Sequence, residues 1–273
     1  MNEKICFIGA GNMASALING ILSSGYEASQ INISDPSRTI RDNWRARGVS
    51  SATNNQEAIR NSDILVLAVK PQIFPAISKE LFGKINKNQK IVSIIAGVNA
   101  LSIQKNFGLS DKHLIFRAMP NTPALVSAGI TAIHCRTKAD DISKTFITNL
   151  FSGCGKTIWV NDEEHIDSVT AISGSGPAYF FLVYESMIAA GMKLGLSEKI
   201  ATELTVSTAM GASILAQTQN KTILQLRSDV TSPKGTTNAA IKSLLADDFP
   251  SILIKGILSA HRRAKELSIQ NMT

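Results

Sequence analysis

The most constraining feature of this chain lies at its start. Lys4-Ile5-Cys6-Phe7-Ile8 is an apolar run of strand length that breaks off into Gly9-Ala10-Gly11-Asn12-Met13-Ala14. Helical spacing follows at once, with Met13, Ala16, Leu17, Gly20 and Ile21 on one face. In a strand–turn–helix of this kind Gly9 permits the tight turn and Gly11 lets the backbone approach a pyrophosphate. Ala14 is small enough for the helix to pack on the strand. The helix start also offers unpaired N–H groups and positive dipole to phosphates. A second apolar run, Ile31-Asn32-Ile33-Ser34, ends at Asp35, about 20 residues further on, as the dinucleotide fingerprint requires. The order predicts a dinucleotide-binding loop.

Short apolar runs of the same kind recur at 63–69, 90–96 and 114–118, each followed by glycine or proline. Between them lie a polar, helix-compatible stretch at 37–47 and a capped helix around 55–61. Strands that are apolar throughout, alternating with helices, indicate a parallel sheet covered on both faces. The period changes near residue 160. The last convincing strand is 157–160, and helical patterns then occupy 166–172, 178–192, 197–216, 222–227, 235–245 and 249–267, with Ser197 a sound N-cap. The expected fold class is therefore α/β: a Rossmann-type, mostly parallel sheet domain over 1–160, then an all-helical domain over 161–273. The stretch 178–192 is apolar nearly all round, as in a bundle core or, the reading favoured here, the contact of a homodimer.

Composition narrows the functional classes. Lysine and arginine number 28 against 21 acids, but the basic residues are scattered and form no block, so nucleic acid is not an expected partner. A mild excess of positive charge suits an anionic small molecule equally well. Cys6, Cys135 and Cys154 are far apart, and the four histidines show no ligand spacing, so neither a metal site nor a disulfide framework is expected. No apolar run reaches the roughly 18 residues of a membrane span, and no basic-then-apolar leader opens the chain. The expected location is the cytoplasm.

The cofactor type is less sharply marked. Asp35 at the end of the second strand suits the ribose 2′-hydroxyl of NAD, whereas Ser37 and Arg38 immediately after it suit a 2′-phosphate. The balance favours NADP. Three further segments carry chemistry. Arg117-Ala118-Met119-Pro120-Asn121-Thr122-Pro123 follows a strand at the edge where ligands sit in open α/β sheets. Ile172-Ser173-Gly174-Ser175-Gly176-Pro177 reads as a glycine-rich turn entering the most apolar helix. Val230-Thr231-Ser232-Pro233-Lys234-Gly235-Thr236-Thr237 places hydroxyls and a glycine ahead of another helix, where N–H groups can be aimed at a carboxylate.

With the N-terminal glycine loop, Ala68-Val69-Lys70-Pro71-Gln72 and Ala96-Gly97, these segments give a sequence that resembles pyrroline-5-carboxylate reductase over about residues 4–268. The resemblance implies an NAD(P)H-dependent reduction of 1-pyrroline-5-carboxylate, the last step of proline synthesis, and two chains interlocked through their helical domains. It implies that Gly9, Gly11, Asn12 and Met13 line the pyrophosphate, and that Ser37, Arg38 and Asn55 lie near the adenosine ribose. Ala68, Lys70 and Pro71 would run along the cofactor, with Ala96, Gly97, Pro120 and Asn121 at its nicotinamide end. Ser232, Gly235, Thr236 and Thr237 would hold the substrate carboxylate and ring nitrogen.

The loop Ser232–Thr237 contains no His, Asp or Glu, so a hydroxyl is the donor available to an imine nitrogen, and Thr237 is the candidate. One departure stands out: the family's loop is Ser-Pro-Gly-Gly, and Lys234 occupies the first glycine here. Lys234 either strains the loop, if φ is positive there, or draws in the substrate carboxylate. Two other readings compete. A keto- or hydroxy-acid reductase of the same build would usually carry a lysine or acid as donor on a helix of the second domain. A catalytically inactive dinucleotide sensor has only Lys234 in its favour.

Overall fold

The computed structural model describes residues 3–270, which divide into two compact units: the chain up to Ser175 together with the segment from Ser259, and Gly176–Leu258. The first unit is an eight-stranded sheet. Its strands are β1 (Ile5–Ile8), β2 (Ile31–Ser34), β3 (Ser50–Ala52), β4 (Ile64–Leu67), β5 (Lys90–Ser93), β6 (Ile115–Met119), β7 (Gly129–Cys135) and β8 (Gly155–Trp159). The spatial order is β3-β2-β1-β4-β5-β6-β7-β8. All pairings are parallel except β6–β7, which is antiparallel with Phe116 opposite Cys135 and Met119 opposite Ala132.

The continuous apolar character of the central strands has a direct cause. Ile5 and Phe7 of β1 and Ile64 and Val66 of β4 enter one core, while Cys6, Ile8, Leu65 and Leu67 enter a second. Successive side chains of a strand point to opposite faces, so a strand buried on both sides has no polar alternate. The first core is closed by α1 (Asn12–Ser23), which contributes Leu17, Ile18 and Ile21, by Trp44 of α2 (Arg38–Arg45), and by α6, described below. The second is closed by α3 (Asn55–Ile59), α4 (Phe74–Leu81) and α5 (Ala100–Phe107), where Phe74 and Phe107 meet edge to face at 5.6 Å. The helix α6 (Asp141–Ser152) adds Phe146, Ile147, Leu150 and Phe151 to the first core.

Beyond β8, α7 (His165–Val169) continues into a π-helical turn over Thr170–Gly174. This corrects the expectation of a glycine-rich turn at 172–177. The Ser175 N–H donates to the Thr170 carbonyl at 2.8 Å, and α8 (Gly176–Lys193) begins at the next residue. The hydroxyls of Thr170 and Ser173 donate back to the carbonyls of Ile166 and Val169, at 2.7 and 3.1 Å. Such back-bonding competes with the regular ladder and widens it. Just ahead of α7, Glu163 pairs with the buried Arg117 of β6 at 3.2 Å, and the same carboxylate oxygen accepts the N–H of Ala100 at 2.6 Å. One carboxylate thus ties β6 and the start of α5 to the chain just ahead of α7.

The second unit is helical throughout: α8, α9 (Glu198–Thr218), α10 (Ile223–Asp229), α11 (Thr236–Ala246) and the first part of α12 (Phe249–Gln270). Ser197 caps α9 through the N–H of Ile200, and Thr222 and Gln225 form a full capping box on α10. Within the chain α8 packs on α9, yet Phe180, Phe181 and Leu182 remain 62%, 58% and 64% exposed. The all-round apolar stretch is therefore no bundle core within one chain. No helix among the described residues is long and apolar enough to cross a membrane.

Candidate active site

Because β1 to β6 run parallel, their carboxyl ends share one edge of the sheet, and the strand order reverses direction at β1, flanked by β2 and β4. Ligands of open α/β sheets sit at such a switch point. Every cofactor residue implied by the resemblance falls on this edge. Gly9, Gly11, Asn12 and Met13 follow β1; Ser37 and Arg38 follow β2; Asn55 follows β3. Ala68, Lys70 and Pro71 follow β4, Ala96 and Gly97 follow β5, and Pro120 and Asn121 follow β6.

The glycine loop has the geometry that phosphate binding requires. Gly9 sits at φ +89°, and a Cβ there would meet the Ala68 carbonyl oxygen at 2.7 Å. β1 and β4 can end this close together only with glycine at position 9. Gly11, by contrast, has open space where its Cβ would stand and caps α1 without any side-chain bond. The first turn of α1 holds no acidic residue, so no carboxylate of its own helix neutralises its N–H groups and dipole. A dinucleotide pyrophosphate fits this cradle.

Several of the other residues already have partners. Ser37 caps α2 through the N–H of Ile40, and Asn55 donates to Glu80 at 2.6 Å. The side chain of Arg38 is 87% exposed beside Asp42. Asn121 is buried, accepting the N–H of Ile130 at 2.9 Å and donating to the Ser173 carbonyl at 3.1 Å. Its amide therefore braces the end of β6 between β7 and the π-helical turn, a role that local sequence does not signal. Asp35 turns its carboxylate to the backbone of Ala10 and Ser37, both at 2.9 Å.

The second set of residues is collected by the second unit. Ser232, Gly235, Thr236 and Thr237 lie in the loop between α10 and α11 and at the first positions of α11. The Gly235 N–H donates to the Ser232 carbonyl at 3.1 Å, and a Cβ on Gly235 would stand 2.4 Å from the Ser232 hydroxyl. The turn is thus closed on itself. Gly235 caps α11 with no side-chain bond, and the first turn of α11 carries no acid. Its N–H groups and the hydroxyls of Thr236 and Thr237 form a second place suited to an anion. Lys234 stands in the left-handed region at φ +62°, with its side chain exposed.

Other reactive groups do not compete with these. Burial pushes the thiol of Cys154 up to about 11 and raises that of Cys6 as well, so both stay protonated and unreactive at neutral pH. Among the described residues no group of His, Cys, Asp and Glu is placed to hold a metal ion.

Residues 163–267 match the family model for pyrroline-5-carboxylate reductase dimerisation, and residues 4–97 match that for NADP oxidoreductase, coenzyme F420-dependent. The pyrroline-5-carboxylate reductase of Pseudomonas aeruginosa is 40% identical over 268 residues, covering 98% of this chain and 97% of that protein. A solved pyrroline-5-carboxylate reductase from Coxiella burnetii superposes with a TM-score of 0.91 at 36% identity, covering 98% of this chain and 99% of that one. The pyrroline carboxylate reductase of Plasmodium falciparum, solved with NADP bound, gives 0.86 at 28% identity over 98% of each chain. With likeness of this degree running through both units, the chain belongs to the pyrroline-5-carboxylate reductase family.

Proposed function

We propose that this protein reduces the C=N bond of 1-pyrroline-5-carboxylate to L-proline with hydride from NADPH, completing proline biosynthesis in the cytoplasm. The observation that carries the reading is the loop Ser232–Thr237 at the uncapped start of α11. It offers N–H groups and hydroxyls to a carboxylate and contains no His, Asp or Glu, and its one lysine stands in the turn and not on a helix, which suits an imine better than a keto acid. Residues 1–160 serve as the dinucleotide-binding domain and 161–273 as the substrate-binding and dimerisation domain. The open aromatic face of α8 and the match to a dimerisation family support a homodimer.

The bound nicotinamide supplies the hydride. The chain's contribution is placement and charge. The start of α1 would hold the pyrophosphate, and Ser37, Arg38 and Asn55 would lie near the adenosine ribose. Arg38, exposed beside the turn, suits a 2′-phosphate, and the Plasmodium relative was solved with NADP. In the second unit the start of α11 receives the substrate carboxylate through Ser232, Gly235 and Thr236. The imine nitrogen carries a proton as the substrate binds; when hydride adds to C5, the C=N electron pair becomes the lone pair of the ring amine, and Thr237 donates a hydrogen bond to it there. Holding C5 within about 3–3.5 Å of the hydride donor is the main effect asked of the protein.

Loss of NADPH absorbance with 1-pyrroline-5-carboxylate, against 2-oxo acids and no substrate, tests the reading. Turnover of the cyclic imine alone is expected. Turnover of a keto acid alone overturns it, and binding of NADPH with no turnover identifies a sensor. The same assay run with NADH tests the cofactor preference.

A further inference from the structure

Asp35 sits where dinucleotide enzymes often place an acid against the ribose 2′-hydroxyl, yet its geometry points elsewhere. One carboxylate oxygen accepts the N–H of Ala10, inside the glycine loop, and the other accepts the N–H of Ser37, the cap of α2, each at 2.9 Å. Beside these bonds the Gly9 N–H donates to the Ser34 carbonyl at 2.8 Å. From the far side Arg41 donates to the carbonyls of Asp35 and Pro36, at 2.5 and 3.0 Å. The turn after β2 is thereby fastened to the loop after β1.

Resting on the reading of that loop as the dinucleotide site, we propose that Asp35 is a positioning residue that clamps the glycine loop for NADPH and NADH alike, and is not a ribose acceptor. Two backbone N–H groups, those of Ala10 and Ser37, lie 25 and two residues from Asp35 in sequence and must be satisfied at once. A carboxylate does this with two coplanar oxygens and charge-assisted bonds, which no neutral side chain matches. A negative charge this close to a pyrophosphate site is otherwise unfavourable. Arg38 and Arg41 on the same turn offset it, so the acid is retained for what it holds. The clamp also withdraws the Ala10 N–H from the phosphates. The donors left for them are the N–H groups at the start of α1, which have no intrahelical partner.

The two roles predict different patterns of loss. A ribose acceptor matters to NADH and repels the 2′-phosphate of NADPH, so its removal weakens only NADH. A clamp shapes the part of the site that both cofactors share. The test is equilibrium titration of NADPH and NADH by fluorescence with the wild-type protein, D35N and D35A, joined to amide hydrogen exchange on the same proteins without cofactor. D35A should raise both dissociation constants by a similar factor, roughly tenfold or more. D35N, which keeps one acceptor oxygen, should fall between it and the wild type. Without cofactor, the Ala10 or Ser37 amide, or both, should exchange faster in D35N, while amides inside β1 keep wild-type protection. Should D35A fail to fold, D35N decides by the same two measurements. A rise for NADH alone, or unchanged exchange at both amides, overturns the clamp. A wild-type protein that binds neither dinucleotide overturns the cofactor reading itself, which separates the two failures.

Discussion

Lys234 offers the sharpest test of the substrate loop. Its φ of +62° puts a side chain where L-residues are disfavoured by about 1–2 kcal/mol. Glycine removes that penalty but brings roughly 0.5–1 kcal/mol of extra chain entropy to the unfolded state. Lys234→Gly should therefore stabilise the protein by about 0.5–1 kcal/mol, or some 1–4 °C in melting temperature for a chain of this size. The lysine also carries positive charge just ahead of α11, where the helix dipole disfavours it by about 0.3–1 kcal/mol at low salt. Lys234→Ala removes that charge while keeping the unfavourable φ. The difference between the glycine and alanine variants isolates the backbone part, and it should survive added salt while the charge part fades. Melting must be followed at matched protein concentration, because the proposed homodimer would shift the midpoint by mass action. A Lys234→Ala protein as stable as Lys234→Gly in high salt would refute the argument from φ. The same variants measure steering. If the ammonium draws in the substrate carboxylate, KM rises in Lys234→Gly at low salt and converges with wild type at high salt. A KM that is unchanged at both leaves strain as the only consequence of the lysine.

Three other substitutions probe separate links. Thr237→Ala should lower kcat by roughly 10–100-fold, the worth of a hydrogen bond to a charged group, while the NADPH dissociation constant stays within about twofold; an unchanged turnover number excludes Thr237 as the donor. Asn121→Ala leaves the Ile130 N–H and the Ser173 carbonyl without their partner, at about 1–3 kcal/mol for each group that stays buried. A clear fall in melting temperature is expected, and wild-type stability in this variant would refute the brace. His113 is buried with Nε2 unpartnered, and burial holds its imidazole below the ordinary value of about 6.5. Its contribution to stability is full above that value and is lost as pH falls toward the lower folded value, because the unfolded chain takes up the proton first. The wild type should thus lose more melting temperature between about pH 7 and 5 than His113→Gln; equal losses would remove His113 from the acid response.

Much of the first unit was legible because burial on both faces of a parallel strand writes itself locally. The runs at β1, β4 and β5 are apolar at every position, and each is closed by glycine or proline at the edge where ligands gather. β3 and β7 were not legible. β3 is only Ser50-Ser51-Ala52, and β7 mixes Gly129, Thr131 and His134 among its apolar residues. Those polar groups are accommodated by distant partners, as when His134 Nδ1 meets the Val160 carbonyl at 3.2 Å. The connection from β6 to β7, a single 3₁₀ turn over Thr122–Val126, is too short for a parallel crossover, so β7 must run antiparallel. The helices α4, α5 and α6 also went unplaced, since each is short or leaves apolar residues such as Ile142 exposed.

The candidate site divides along the same line. That residues after β1 to β6 converge on one edge follows from parallel topology alone, and the residues expected at a cofactor lie among them. What each side chain does there depends on a partner far away in the chain. Asp35 and Arg38 lie three positions apart in one turn, and composition marks both as candidate ribose contacts. Asp35 is turned inward by the N–H of Ala10, a residue on another strand's loop, whereas Arg38 pairs with Asp42 of its own helix and is exposed. The pairing of β1 with β2 decides between them, because it is that pairing which carries Ala10 past Asp35. On the proposed reading, a substitution meant to alter cofactor choice belongs at Arg38, and the same change made at Asp35 is expected to disturb the loop that both cofactors need.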